Sequence, residues 1–171
     1  MIINFGRGMR KLRNVFVSYA HRLDQKEADD FRIKFGGPGM VFSDRSLENK
    51  DIGHLSDDTI KNNYIRPKIR NSSVTIILIG EETGGRWWVD WEIYYSLIHT
   101  IGNARNGLLG IRLPHKRHFV PKRLEQNLNM GLIIDMPKTR WELERAIEEA
   151  YSKRYNIPNL SAPLRQRNSY I

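Results

Sequence analysis

The chain predicts an α/β fold, a three-layer sandwich around a five-stranded, mainly parallel sheet. Three observations carry this. Five short apolar runs alternate with stretches whose apolar residues recur every three or four positions. The runs are continuously apolar rather than alternating, as in strands covered on both faces. At 171 residues, with 40% hydrophobic and 10% aromatic side chains, the chain has enough apolar material for one full-sized core. The expected strand order is flavodoxin-like, 2-1-3-4-5, which places ligands beyond the carboxyl ends of the strands.

Each element has its own local reason. Asn14–Tyr19 is a short strand. Asp24-x-x-Glu27 reads as a capping box opening a helix with Ala28, Phe31 and Phe35 on one face, ended by Gly36-Gly37-Pro38-Gly39. Met40-Val41-Phe42 is the second strand. Ser56 is placed to cap a helix, with Leu55 and Ile60 spaced as a hydrophobic staple, and Pro67 should bend or end it. Val74–Ile79 is the third strand. From Trp87 to Ile101, Val89, Ile93, Leu97 and Ile101 recur every four residues and should face the sheet, with Gly102-Asn103 as the stop. Leu108–Leu113 is the fourth strand, a helix is expected around Pro121–Asn129, and Leu132–Asp135 is the fifth strand. Thr139-Arg140-Trp141-Glu142 is a second capping box, and Leu143, Ile147, Ala150 and Tyr151 face inward behind it. The expected organisation is a basic segment at 1–13, one domain at 14–155, and a tail at 156–171 that either lies on the domain or is loose.

Composition excludes several classes of function. With no cysteine there is no disulfide, thiolate metal site or cysteine nucleophile. The longest apolar run is six residues, against about twenty for a membrane span, and no apolar leader opens the chain. A cytoplasmic protein without a membrane partner is expected. The net charge of +9 gathers at Arg7-Arg10-Lys11-Arg13, His115–His118 with Lys122-Arg123, and Arg165 with Arg167. No basic stretch carries the interleaved aromatics of a stacking platform, so nucleic acid is not the expected partner. His115 and His118 lack a third ligand at metal spacing, and no metal is expected.

The most informative stretch is Ser73–Leu97, SVTIILIGEETGGRWWVDWEIYYSL. A strand stops at a glycine-rich turn and a helix opens with two tryptophans, placing Glu92 one turn beyond Trp88 on the same face. The first strand's exit, Ser18-Tyr19-Ala20-His21, has no dinucleotide fingerprint, and no P-loop occurs anywhere. The acidic pair of a phospho-receiver and the phosphate loop of flavodoxins are also missing.

Three stretches resemble the TIR domain, and more closely the TIR-like branch of the bacterial Thoeris antiphage system. Phe16-Val17-Ser18-Tyr19 is similar to its F-x-S-[FY] first strand, and Val41-Phe42-Ser43-Asp44 resembles its second. Trp88-Val89-Asp90-Trp91-Glu92, behind the Val74–Ile79 strand, looks like its W-V-x-x-E helix start. The likeness covers roughly Asn14 to Ile101, with a consistent strand–helix pattern to about Arg154. It implies an enzyme that cleaves the nicotinamide–ribose bond of NAD+ with Glu92 and makes a cyclic or conjugated ADP-ribose signal. NAD+ would be the substrate, with no further cofactor. It also implies a homo-oligomer, a phage-derived trigger, and a separate effector protein reached through that signal. Within this reading Trp88 shapes the pocket or stacks on a ring of the ligand. Ser18, Tyr19 and His21 line the first strand's exit, Ser43 and Asp44 hold a ribose hydroxyl, and Arg86 meets a phosphate. Blander roles stand beside each: a solvated helix glutamate at Glu92, packing at Trp88, a turn at Ser18, a helix start at His21, loop fixing at Asp44 and a surface arginine at Arg86. Trp87 and Trp91 read as packing or interface residues. The alternative function is a non-catalytic TIR-like interaction module.

Overall fold

The computed structural model describes residues 12–36, 42–44, 54–98 and 104–167, with the backbone alone for 42–44. The expected stops at Gly37-Pro38-Gly39 and Gly102-Asn103, the inward face at Ile101, and the basic group Arg7-Arg10-Lys11 lie outside the described residues. A parallel sheet forms the middle layer. Strand β1 (Arg13–Ser18) is followed by helix α1 (Gln25–Phe35) and the three-residue β2 (Phe42–Asp44). Helices α2 (Asp57–Thr59) and α3 (Arg66–Arg70) flank a π-helical stretch at Ile60–Ile65, ahead of β3 (Val74–Ile79) and α4 (Trp87–Leu97). Then come β4 (Gly107–Arg112), α5 (Lys122–Glu125), β5 (Gly131–Asp135) and α6 (Arg140–Lys153). β1 pairs with β3, β3 with β4 and β4 with β5, all parallel. β2 pairs with the other side of β1, Ser43 opposite Asn14 and Asp44 opposite Val15.

The alternation of side chains along each strand assigns the two outer layers. Val15 and Val17 of β1 and Val74, Ile76 and Leu78 of β3 pack against α1 and α6 through Phe31, Phe35, Leu143 and Ile147. The opposite parity meets α4, where Ile77 and Ile79 contact Val89, Ile93 and Leu97. Phe16 lies with Ile60, Ile65, Ile69 and Trp91. Burying each such aliphatic side chain contributes about 1.5–3 kcal/mol, so both helical layers are firmly docked.

Local signals hold at two helix starts and fail at one. The Ser56 and Thr139 hydroxyls each accept from the backbone N–H three residues on, Thr59 and Glu142, and Leu55 packs with Ile60 as the staple requires. Glu142 closes its box on the Lys138 N–H. Asp24 stands at the start of α1 without capping it, because Lys116 draws its carboxylate away at 2.7 Å. Pro67 does not end the helix. It sits in the first turn of α3, where a missing N–H costs nothing. The preceding turn widens instead, and the Arg66 N–H reaches Lys61 O, five residues back.

The helix expected around Pro121–Asn129 is a single turn, α5, followed by a 3-10 turn at Leu128–Met130. Beyond α6 the chain lies on the domain. Asn127 and Asn159 exchange side-chain-to-backbone bonds at 2.7 and 3.1 Å, and the backbone carbonyls of Ala162 and Pro163 accept from Arg123 at 3.0 and 2.9 Å.

Candidate functional site

Ser18 closes β1 with the parity of Phe16, which directs its hydroxyl toward α4 rather than α1. Glu92 lies on the second turn of α4, one turn beyond Trp88. The two elements meet there: Ser18 Oγ donates to Glu92 Oε2 in a short hydrogen bond. One turn earlier, Trp88 Nε1 donates to Tyr19 O at 3.2 Å. The helix that carries the carboxylate is thus tied to the end of β1 at two successive levels.

Glu92 is 5% exposed, so it is not a solvated helix glutamate. Burial pushes its carboxyl up and the Ser18 bond pulls it back, leaving it at about 8. No cation is paired with it among the described residues. A carboxyl in that condition is about nine-tenths protonated at pH 7.

Aromatic rings gather beside it. His21 lies in the turn ahead of α1, and its ring is near those of Tyr19 and Trp88, with centroids 4.4 and 5.9 Å away and the planes tilted by 46°. Tyr19 is buried and its hydroxyl donates to Gln25 Oε1 at 2.9 Å. Trp88 is half-buried and packs on the α4-side core. The Arg86 guanidinium lies 5.3 Å from the Trp88 ring centre and pairs with Glu82. The structure therefore brings Ser18, Tyr19, His21, Arg86, Trp88 and Glu92 to one end of the sheet. Ser43 and Asp44 stand on β2 beside β1, and their side chains lie outside the described residues.

A second polar cluster lies at the same end of the sheet. Lys116 reaches Asp24 at 2.7 Å, Glu27 at 2.9 Å and the Leu23 carbonyl at 3.0 Å, joining the exits of β1 and β4. Burial works against the Glu27 carboxylate, yet the hydrogen bond from Lys116 holds it below its ordinary value. Gly80, at the end of β3, lies against the Asp24 carboxylate so closely that a side chain there would collide with it.

The outer face of α4 carries the residues that sequence reasoning missed. Asp90 is buried and accepts from Arg123 Nε at 2.7 Å and Nη2 at 3.1 Å. It also accepts from the Arg165 N–H at 2.9 Å. Trp91 is 1% exposed and donates to Arg165 O at 2.8 Å, a packing role as expected. Arg123 and Arg167 had been counted with the basic surface. Arg123 is buried in this pair, and Arg167 reaches Leu55 O and Asp57. One signal for this was available: WWVDWEIYYSL is apolar nearly all round the helix, and acids within such a helix have to be buried with partners.

No curated protein matches the chain. Residues 16–118 match the family described as Thoeris protein ThsB, TIR-like domain. That segment begins in β1 and runs past Lys116, so it takes in Ser18, Trp88, Glu92 and the Lys116 cluster. Since the match spans more than half of the chain, the protein belongs to the Thoeris ThsB TIR-like domain family.

Proposed function

We propose that this protein is a TIR-type NAD+-cleaving enzyme that makes an ADP-ribose-derived signal in antiphage defence. Its sheet is read as five-stranded in the order 2-1-3-4-5, with β2 bordering the site. The observation that carries the reading is the Ser18–Glu92 pair. A carboxyl group with no cation beside it among the described residues stands at the carboxyl edge of a parallel sheet, where open α/β folds take ligands.

The chemistry suits a carboxylate. The bond from ribose C1′ to the nicotinamide nitrogen breaks, and the electron pair leaves with nicotinamide, which departs neutral. Acid assistance is not needed, and the requirement is stabilisation of an oxocarbenium-like ribose. Glu92, once deprotonated, supplies that charge and holds the ribose hydroxyls in place. Water, a hydroxyl of the ADP-ribose itself or a separate acceptor then adds at C1′ and loses a proton, giving a free, cyclic or conjugated product. Trp88 and His21 offer ring faces to nicotinamide or adenine, Tyr19 frames the exit of β1, and Arg86 with Ser43 and Asp44 meets phosphate and ribose. Glu92 is 5% exposed, so the groups covering it must shift before the sugar can reach it. Binding of NAD+ within a homo-oligomer, under a phage-derived trigger, is the proposed cause. The product then acts on a separate effector in the cytoplasm.

One observation favours the second reading, a non-catalytic interaction module: the same burial fits a Glu92 that joins α4 to β1 and does nothing else. Mass spectrometry of NAD+ incubated with protein co-expressed with phage components separates the two. Nicotinamide release that falls at least about a hundredfold in Glu92→Gln supports the enzyme. Release at the wild-type rate from Glu92→Gln removes Glu92 from the reaction, and no release from either protein favours the module.

A further inference from the structure

A hollow of about 360 Å3 lies at the amino-terminal ends of β1 and β3. It is at the end of the sheet opposite Ser18, roughly 17 Å away along β1 at about 3.3 Å per residue. Arg13, Arg70, Arg154, Asn14, Ser72 and Tyr151 all line it. No carboxylate does, among the described residues. Its volume is at the small end of the range for organic-ligand pockets.

Among the described residues Arg154 meets no carboxylate, and two of the three guanidiniums are held in place. Arg13 gives Nε and Nη2 to Glu148, at 2.8 and 3.1 Å. Arg154 gives Nη2 to the hydroxyls of Tyr151 and Tyr155, at 3.0 and 2.7 Å. Both guanidiniums lie against the Tyr151 ring, 3.6 and 4.0 Å from its centre, a cation–π arrangement that restrains them before any ligand arrives. Arg70 is exposed at the rim, and Asn14 and Ser72 add neutral polar groups. Guanidiniums fixed in a polar hollow match phosphate oxygens in geometry as well as charge. An open basic surface would offer only the charge.

We propose that this hollow binds a small phosphate-bearing anion of mononucleotide size, at a site separate from Glu92. The proposal does not depend on the activity assigned above. Calorimetric titration of the full chain at low salt, with inorganic pyrophosphate, ADP and adenosine as probes, tests it. Pyrophosphate and ADP are expected to bind and adenosine is not. Equal affinity for the two anions points to an inorganic ligand and tighter ADP binding to a nucleotide, and both results support the site. Arg70→Glu, at an exposed position, should weaken both anions about tenfold or more, and Arg154→Gln should do the same with an unchanged melting temperature. Trp88→Ala should leave pyrophosphate affinity unaltered. Absent anion binding overturns the proposal, as does binding indifferent to both arginine variants, adenosine binding as tightly as ADP, or pyrophosphate affinity lost in Trp88→Ala.

Discussion

Asp90 and Glu92 are two buried carboxyl groups two residues apart on one helix, and they are treated in opposite ways. Asp90 receives a bidentate guanidinium from Arg123 and a backbone N–H from Arg165. Glu92 receives one serine hydroxyl. Asp90 is therefore built as a joint, its charge matched from two directions. Glu92 has no such counter-ion among the described residues, and burial raises its proton affinity so that the group stays mostly neutral at pH 7. A fold that needed only a brace at position 92 would do as well with an amide. An acid there costs stability that an amide would not, which is why Glu92 carries the function proposed above.

The largest effect should come from breaking the joint. Asp90→Ala leaves Arg123 buried without its counter-ion, a loss of about 3–5 kcal/mol that denaturant unfolding will register, with the tail detached from α4. The next belongs to Glu92. Its folded-state value of about 8 lies above its ordinary 4.5, so the folded chain holds a proton that the unfolded chain releases. The resulting stability is fully present below about pH 4.5 and is lost as pH rises toward 8. Melting temperatures measured across that window should decline in the wild type. They should decline less in Glu92→Gln, which ends a few kcal/mol more stable at pH 8. Unchanged slopes would mean that the carboxyl is not buried as described.

The same proton affects the proposed reaction. If the anion is the working form, nicotinamide release should climb about tenfold between pH 7 and pH 9, following the carboxyl rather than any histidine. A rate that is flat over that range would show the site to be rebuilt before it acts. The smallest change is Ser18→Ala. Removing the one bond that favours the anion moves Glu92 further up, readable by carboxyl-carbon NMR titration, and costs about 1 kcal/mol of stability. The comparison between the two acids would weaken if Ser18→Ala proved as damaging as Asp90→Ala.

The legible parts of this molecule were those with local causes. Val74–Ile79 could be bounded from the sequence because six aliphatic or β-branched residues sit between serines and a glycine. Ser56 and Thr139 capped their helices because the acceptor is three residues away, whatever the rest of the chain does. Helical spacing put Glu92 one turn beyond Trp88, the likeness to the TIR domain singled it out, and Ser18 could be placed at the exit of the first strand. Pairings across distance were not readable. Asp24 carries the pattern of a cap, but a lysine 92 positions later holds it instead. Arg123 looked like part of a basic surface loop until the fold buried it against Asp90, 33 residues earlier. In both cases the residue type was informative and the partner was not, because three-dimensional proximity decides which charges meet.

The strap across α4 also sets an order of events during synthesis. Arg165 follows Asp90 by 75 residues, and a ribosome adding about 5–20 residues per second takes roughly 4–15 seconds to cover that interval. Through that time the nascent helix has its indole and its aspartate unsealed at the back. The segment that closes them emerges after every strand of the sheet. A chaperone that holds emerging chains would meet this protein there, at the rear of the very helix whose front carries Glu92.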